Sequence, residues 1–144
     1  AELNYERFAH MDLERQLTPA VLAYEGLAYQ YMAPGVMTED MLSYLQEHLR
    51  ILSGFYGMLR PFDGVTPYRL EMQARLSVNG CPDLYAFWGD RLARALAGEA
   101  GLVVDLASQE YSRAVLLKWL RKRKKEIEQS VKAAPPPAQE QTAS

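Results

Sequence analysis

The 144-residue chain has one cysteine, Cys81, and no lysine before position 118. A single cysteine excludes an internal disulfide and fits a reducing compartment, so a cytoplasmic location is expected. No apolar run approaches the ~20 residues that cross a bilayer, and no membrane partner is expected. The opening residues, AELNYERFAHMDLERQ, are polar and acidic and do not read as a signal peptide. The chain has no GxGxxG or Walker loop for phosphates and no GxSxG around a nucleophilic serine. Its two histidines, His10 and His48, are far apart with no cysteine near either. A metal centre wants clustered ligands, so no metal and no cofactor is expected. Cys81 lies in NGCPD, beside Asp83, without the positive charge that activates a thiol. No catalytic constellation is identifiable, which argues against an enzyme.

Charge is distributed unevenly. Residues 1–117 hold nine arginines against fifteen acids, a net of −6, while residues 118–144 hold seven basic residues against three acids, a net of +4. All five lysines lie in that second stretch. This break divides the chain into a body, 1–117, a basic helical extension, 118–131, and a tail, 132–144. The tail's KAAPPPAQEQTAS composition is that of a disordered segment.

Local patterns alternate between helix and strand. Glu2–Gln16 reads as a helix with Leu3, Phe8, Met11 and Leu13 on its apolar face. Val21–Tyr24 reads as a short buried strand between Pro19 and Gly26. MTEDMLSYLQEHLRIL is the clearest helix, with Thr38 as N-cap, Glu39 and Asp40 at the positive end of the dipole, and a stop at Ser53-Gly54. Glu71–Val78 alternates like a strand, and Asn79-Gly80 is a strong turn signal. Asp83 caps a helix that runs to Gly98, GLVVDLA reads as another buried strand, and SQEYSRAVLLKWLRKRKKEIEQSV as a long helix starting at Ser108. The fold class is therefore α/β in the mixed α+β sense, helices on a small mixed sheet.

HLRILSGFYGMLRPFDGVTPYRLEM, from His48 to Met72, is too broken for one helix and too apolar for a plain loop. Gly54 and Gly57 suit a tight hairpin whose N–H groups bind a phosphate without reading a base. Arg60 and Arg69 would add forked contacts to phosphate oxygens. The opposing reading is that Gly54 only ends a helix, that the apolar residues are core, and that Arg69 and Glu71 form a surface ion pair. Tyr24, Tyr29, Tyr31, Tyr85, Phe87 and Trp88 fit a core more readily than a platform for bases.

The run HLRILSGFYGMLRPFDGVTPYRLEMQARL, followed by DLYAFWGD and LASQEYSRAV and preceded by LTPAVLAYEGLAYQYMAP, resembles the YaaA family of bacterial peroxide-stress proteins. The resemblance spans roughly residues 3–115, the middle of the family pattern. Family members are about twice a domain of this size, with a SPAK-type opening loop and a later AKxARG-type motif that have no counterpart here. It implies a cytoplasmic protein that limits peroxide damage, partly by keeping free iron low. It also implies a mixed α/β fold with a positive cleft, present here as an incomplete version. A helix-hairpin-helix element and non-specific DNA binding follow from it as well, which would make Gly54, Gly57, Arg60, Tyr68 and Arg69 the phosphate-contacting residues. The alternatives are an enzyme acting on a nucleotide or base, with Tyr68, Arg69 and Glu71 lining its cleft, or an inactive fragment that self-associates through unpaired strand edges.

Overall fold

The computed structural model describes residues 17–133. The expected helix at Glu2–Gln16, His10 and most of the expected tail lie outside the described residues. Six α-helices and four short strands are present among them. In order these are β1 (Thr18–Pro19), α1 (Ala20–Ala23), α2 (Leu27–Met32), α3 (Glu39–His48), β2 (Ile51–Ser53), β3 (Gly57–Leu59), β4 (Gly64–Val65), α4 (Leu84–Trp88), α5 (Arg91–Glu99) and α6 (Gln109–Ala133). A 3-10 turn at Pro34–Val36 joins α2 to α3. The mixed α and β class holds, with the strands in two antiparallel pairs, β1 with β4 and β2 with β3. No helix among the described residues is long and apolar enough to cross a membrane.

Two cap assignments hold in atomic detail. The Thr38 hydroxyl accepts from the Met41 N–H at 3.3 Å. The Asp83 carboxylate accepts from the Ala86 N–H at 2.7 Å and starts α4. Each satisfies one of the donors that a helix start leaves open. The turn at Asn79-Gly80 also forms, with φ of 49° and 78° and reciprocal bonds between Val78 and Cys81.

Five expectations are corrected. Val21–Tyr24 is not a strand: Pro19 enters with φ −54°, and Ala20 and Val21 donate their N–H groups to the carbonyls of Asp63 and Pro61, which opens the helical turn α1. The helix from Thr38 stops at His48, not at Ser53, because Leu49 turns extended and Ile51–Ser53 pairs with Gly57–Leu59. Glu71–Val78 runs as irregular chain whose bridge is Val78 to Cys81. Its main buried anchor, Met72, points into a helical core instead of across a sheet. GLVVDLA is an exposed irregular segment with Leu102, Val104 and Leu106 all in solvent. The helix after Asp83 is also interrupted. Gly89 adopts φ +55° between α4 and α5, and Lys118 Nζ donates to its carbonyl.

The apolar side chains gather into two clusters. One holds Ala20, Val21, Ile51, Leu59 and Val65, with α2 and α3 side chains packed on it. The other holds Met72, Leu84, Leu92, Ala114 and Val115 and joins α4, α5 and α6. The β2–β3 hairpin lies between them. Side chains alternate across a strand, so Ile51 and Leu59 enter the first cluster while Leu52 and Met58 pack against the second. Arg50, just before β2, reaches Glu99 at the end of α5 at 2.6 Å.

Candidate nucleic-acid interface

The loop of this hairpin is Gly54-Phe55-Tyr56, since Ser53 pairs with Gly57. It was expected to be a helix-hairpin-helix element with outward N–H groups, and the structure corrects that: both arms are strands. Ser53 Oγ accepts the Phe55 N–H at 3.2 Å and the Tyr56 N–H at 3.1 Å. A serine hydroxyl folded over its own turn in this way satisfies the donors locally. Two N–H groups assigned to a phosphate are thus already bonded.

The two glycines serve packing. A Cβ on Gly54 would lie 2.6 Å from the Leu70 carbonyl oxygen, and one on Gly57 would lie 2.8 Å from the Trp88 ring. Gly57 also holds φ +87°, which side-chain-bearing residues rarely adopt. Trp88 is fixed against the loop by its Nε1–H, which donates to the Gly54 carbonyl at 2.9 Å. Across the loop, the Tyr56 hydroxyl accepts from the Thr66 N–H at 3.0 Å and meets Thr66 Oγ1 at 3.0 Å. Ser53, Tyr56, Thr66 and Trp88 therefore shape the loop, though none was singled out for it. The Ser-Gly pair before the aromatic dipeptide was the available signal for Ser53; nothing local pointed to Trp88, which comes from a distant helix.

Of the expected contact residues, the structure brings Tyr68 to the loop. Its ring stacks on Phe55 with centroids 4.0 Å apart and planes at 17°, and Phe55 remains exposed. Arg69, next in the chain, is exposed and paired with Glu71 at 3.0 Å, as the ion-pair reading has it. Arg60 is exposed at the end of β3. Its N–H donates to Asp63 at 2.7 Å in the following turn, while its guanidinium has no partner among the described residues. The site thus offers an aromatic stack beside Arg69, a cation on the next turn, and no group of three or more His, Cys, Asp or Glu among the described residues.

Three phenols packed on the two clusters have raised pKa values. Burial raises the pKa of Tyr24, opposed by a hydrogen bond with Ser53. Burial likewise raises Tyr29 and Tyr111, and Glu110 raises Tyr111 further. Tyr24 and Tyr29 stack at 6.1 Å and line an open cavity of about 350 Å³ with Val21, Glu25, Gly26 and Gln30.

The family model described as peroxide stress protein YaaA matches residues 1–134. The chain belongs to the YaaA peroxide stress protein family. Among its YaaA-family relatives, a UPF0246 protein of Pediococcus pentosaceus is 60% identical over 115 residues, covering 80% of this chain and 46% of that protein. UPF0246 proteins of Lactiplantibacillus plantarum and Agathobacter rectalis are 57% and 54% identical with the same coverage. The chain spans about half the length of the curated relatives it matches. In this YaaA-family chain, the β2–β3 loop and its arginines lie within one hairpin and the irregular segment after it.

Proposed function

We propose that this chain serves peroxide-stress defence in the cytoplasm by sequence-blind contact with nucleic acid, with a lowered level of free iron as the accompanying effect. The observation that carries the reading is the family match over residues 1–134. Its chemical support is exposed Phe55 stacked on half-buried Tyr68, with Arg69 next in the chain and exposed Arg60 at the far end of β3. Aromatic faces accept any base, and arginine forks grip phosphate without reading sequence. Gly54 and Gly57 act in this reading by holding the loop, not by touching phosphate. Glu71 competes for Arg69, and residues 1–117 carry a net charge of −6, so the contact should be weak and easily screened.

The test is fluorescence anisotropy of a short labelled duplex and a matched single strand, at low and near-physiological salt. Arg60→Ala with Arg69→Ala should weaken binding and flatten the duplex salt dependence by roughly 0.9 per lost phosphate contact. Equal affinity in the double variant would refute the assignment. The second reading is an enzyme acting on a nucleotide or base, with Tyr68, Arg69 and Glu71 lining its cleft; the open cavity beside Tyr24 and Tyr29 includes none of the three. Turnover of damaged nucleotides or abasic DNA would support it, and a clean negative across both would retire it.

A further inference from the structure

The segment GLVVDLA, residues 101–107, joins α5 to α6 with a strand's pattern and no strand beside it among the described residues. Both of its ends are fixed on α6. Arg123 Nη2 donates to the Ala100 carbonyl at 3.0 Å. Ser112 Oγ donates to Asp105 Oδ2 at 2.7 Å, and Asp105 Oδ1 accepts the Ala107 N–H at 3.0 Å. Between these anchors residues 103–106 run without turn or bend. Successive side chains of a straight run point to opposite sides. Val103 is half-buried and Asp105 is tied to α6, whereas Leu102, Val104 and Leu106 are 85%, 75% and 84% exposed. No backbone N–H or C=O of residues 101–106 is bonded to another backbone group among the described residues. A row of unspent donors and acceptors, with alternate apolar side chains, is what a sheet edge presents to an incoming strand.

We propose that residues 102–106 dock the part of a YaaA-family protein that this chain does not span. That polypeptide adds a β-strand along the edge and lays apolar side chains over Leu102, Val104 and Leu106. Two observations select this occupant. The first is length. In the Pediococcus pentosaceus and Lactiplantibacillus plantarum relatives the matched residues make up 46% of the protein, so more than half of each lies outside the match. The second is what the strip needs. Strand pairing satisfies the backbone groups, but the apolar side chains stand on the face of the new sheet and stay in water. The occupant must therefore bring both a strand and an apolar layer, which a short peptide does not. A second copy of this chain fails for the same reason. Its own strip would pair with this one, and the exposed apolar face would double instead of being covered.

The test co-expresses the full chain with the remainder of the Pediococcus pentosaceus relative, the residues outside its 115-residue match. Sedimentation and hydrogen exchange read the result. A discrete complex is expected, in which the amides of residues 102–106 exchange slower than in the free chain by on the order of tenfold or more. Val104→Asp with Leu106→Asp should weaken that complex by on the order of a hundredfold. The same variant should leave the far-UV circular dichroism of the free chain unchanged, because both side chains are in solvent there. The intact relative gives an independent reading, since its amides aligned with this strip should exchange slowly. Three results would overturn the proposal. In one, the complex forms with unchanged exchange at residues 102–106 or is indifferent to the double variant. In another, the free chain protects these amides as its concentration rises, which makes a second copy the occupant. In the last, the aligned strip of the intact relative exchanges as fast as an open loop, a result that decides the matter even where the remainder does not fold alone.

Discussion

Gly57→Ala is expected to destabilise the protein by about 2–5 kcal/mol. Two independent effects contribute. A side chain at φ +87° occupies the left-handed half of backbone space, at ~1–2 kcal/mol for an L-residue. The new methyl also meets the Trp88 ring at 2.8 Å, and overpacking of this kind costs ~1–3 kcal/mol. The ring cannot swing away freely, since its Nε1–H is bonded to the Gly54 carbonyl. Two companion variants separate the effects. Gly80 has φ +78° with open space around its Cβ position, so Gly80→Ala should show the backbone cost alone, ~1–2 kcal/mol. Gly54→Ala meets a carbonyl oxygen at 2.6 Å without a positive φ, so it should show the steric cost alone. Urea denaturation at fixed pH, read as a shift in midpoint at constant slope, measures all three. Gly57→Ala within ~0.5 kcal/mol of the parent, the range of ordinary surface changes, would refute the packing assignment. So would unchanged stability with lost DNA binding, the signature of a glycine that serves phosphate.

Two further outcomes follow from local chemistry. Asp83→Ala should cost ~1 kcal/mol through loss of the α4 cap, and Asp83→Asn should recover most of it, checked by thermal unfolding. Tyr24, Tyr29 and Tyr111 have folded pKa values above the ordinary 10.0. The folded state therefore holds their protons more tightly than the unfolded chain. The stability they contribute is intact below pH 10.0 and falls as pH rises above it. Denaturation midpoints between neutral and strongly alkaline pH, paired with phenolate absorbance, check this; stability rising on the alkaline side would contradict it.

What was legible in the sequence was what short-range chemistry decides. Thr38 and Asp83 cap helices because a hydroxyl or carboxylate beside a helix start has few better partners. Asn79-Gly80 turns because both residues tolerate positive φ. The long helix from Gln109 was equally visible. The misreadings share one cause, which is that the deciding partner lies far along the chain. Val21–Tyr24 has a strand-like composition, but the carbonyls of Pro61 and Asp63 take its first N–H groups and bend it into a helical turn. GLVVDLA has a strand's pattern with no strand beside it among the described residues, so its apolar side chains face solvent. At the site, Arg69 with Glu71 was readable as an ion pair two residues apart, and the structure forms it. Gly54 and Gly57 were singled out for a phosphate, whereas what the structure shows for them is close packing on Leu70 and Trp88, contacts that no local spacing encodes.

The division of the β2–β3 hairpin between two clusters has a thermodynamic consequence. Neither cluster can melt while the other survives unless the three-residue strands themselves split, because Ile51 and Leu52 are consecutive and belong to opposite sides. The bonds pairing β2 with β3 are therefore broken only when both hydrophobic clusters are lost. The amides that bond β2 to β3 should exchange with solvent at the rate of global opening, and unfolding should proceed as one transition despite two cores.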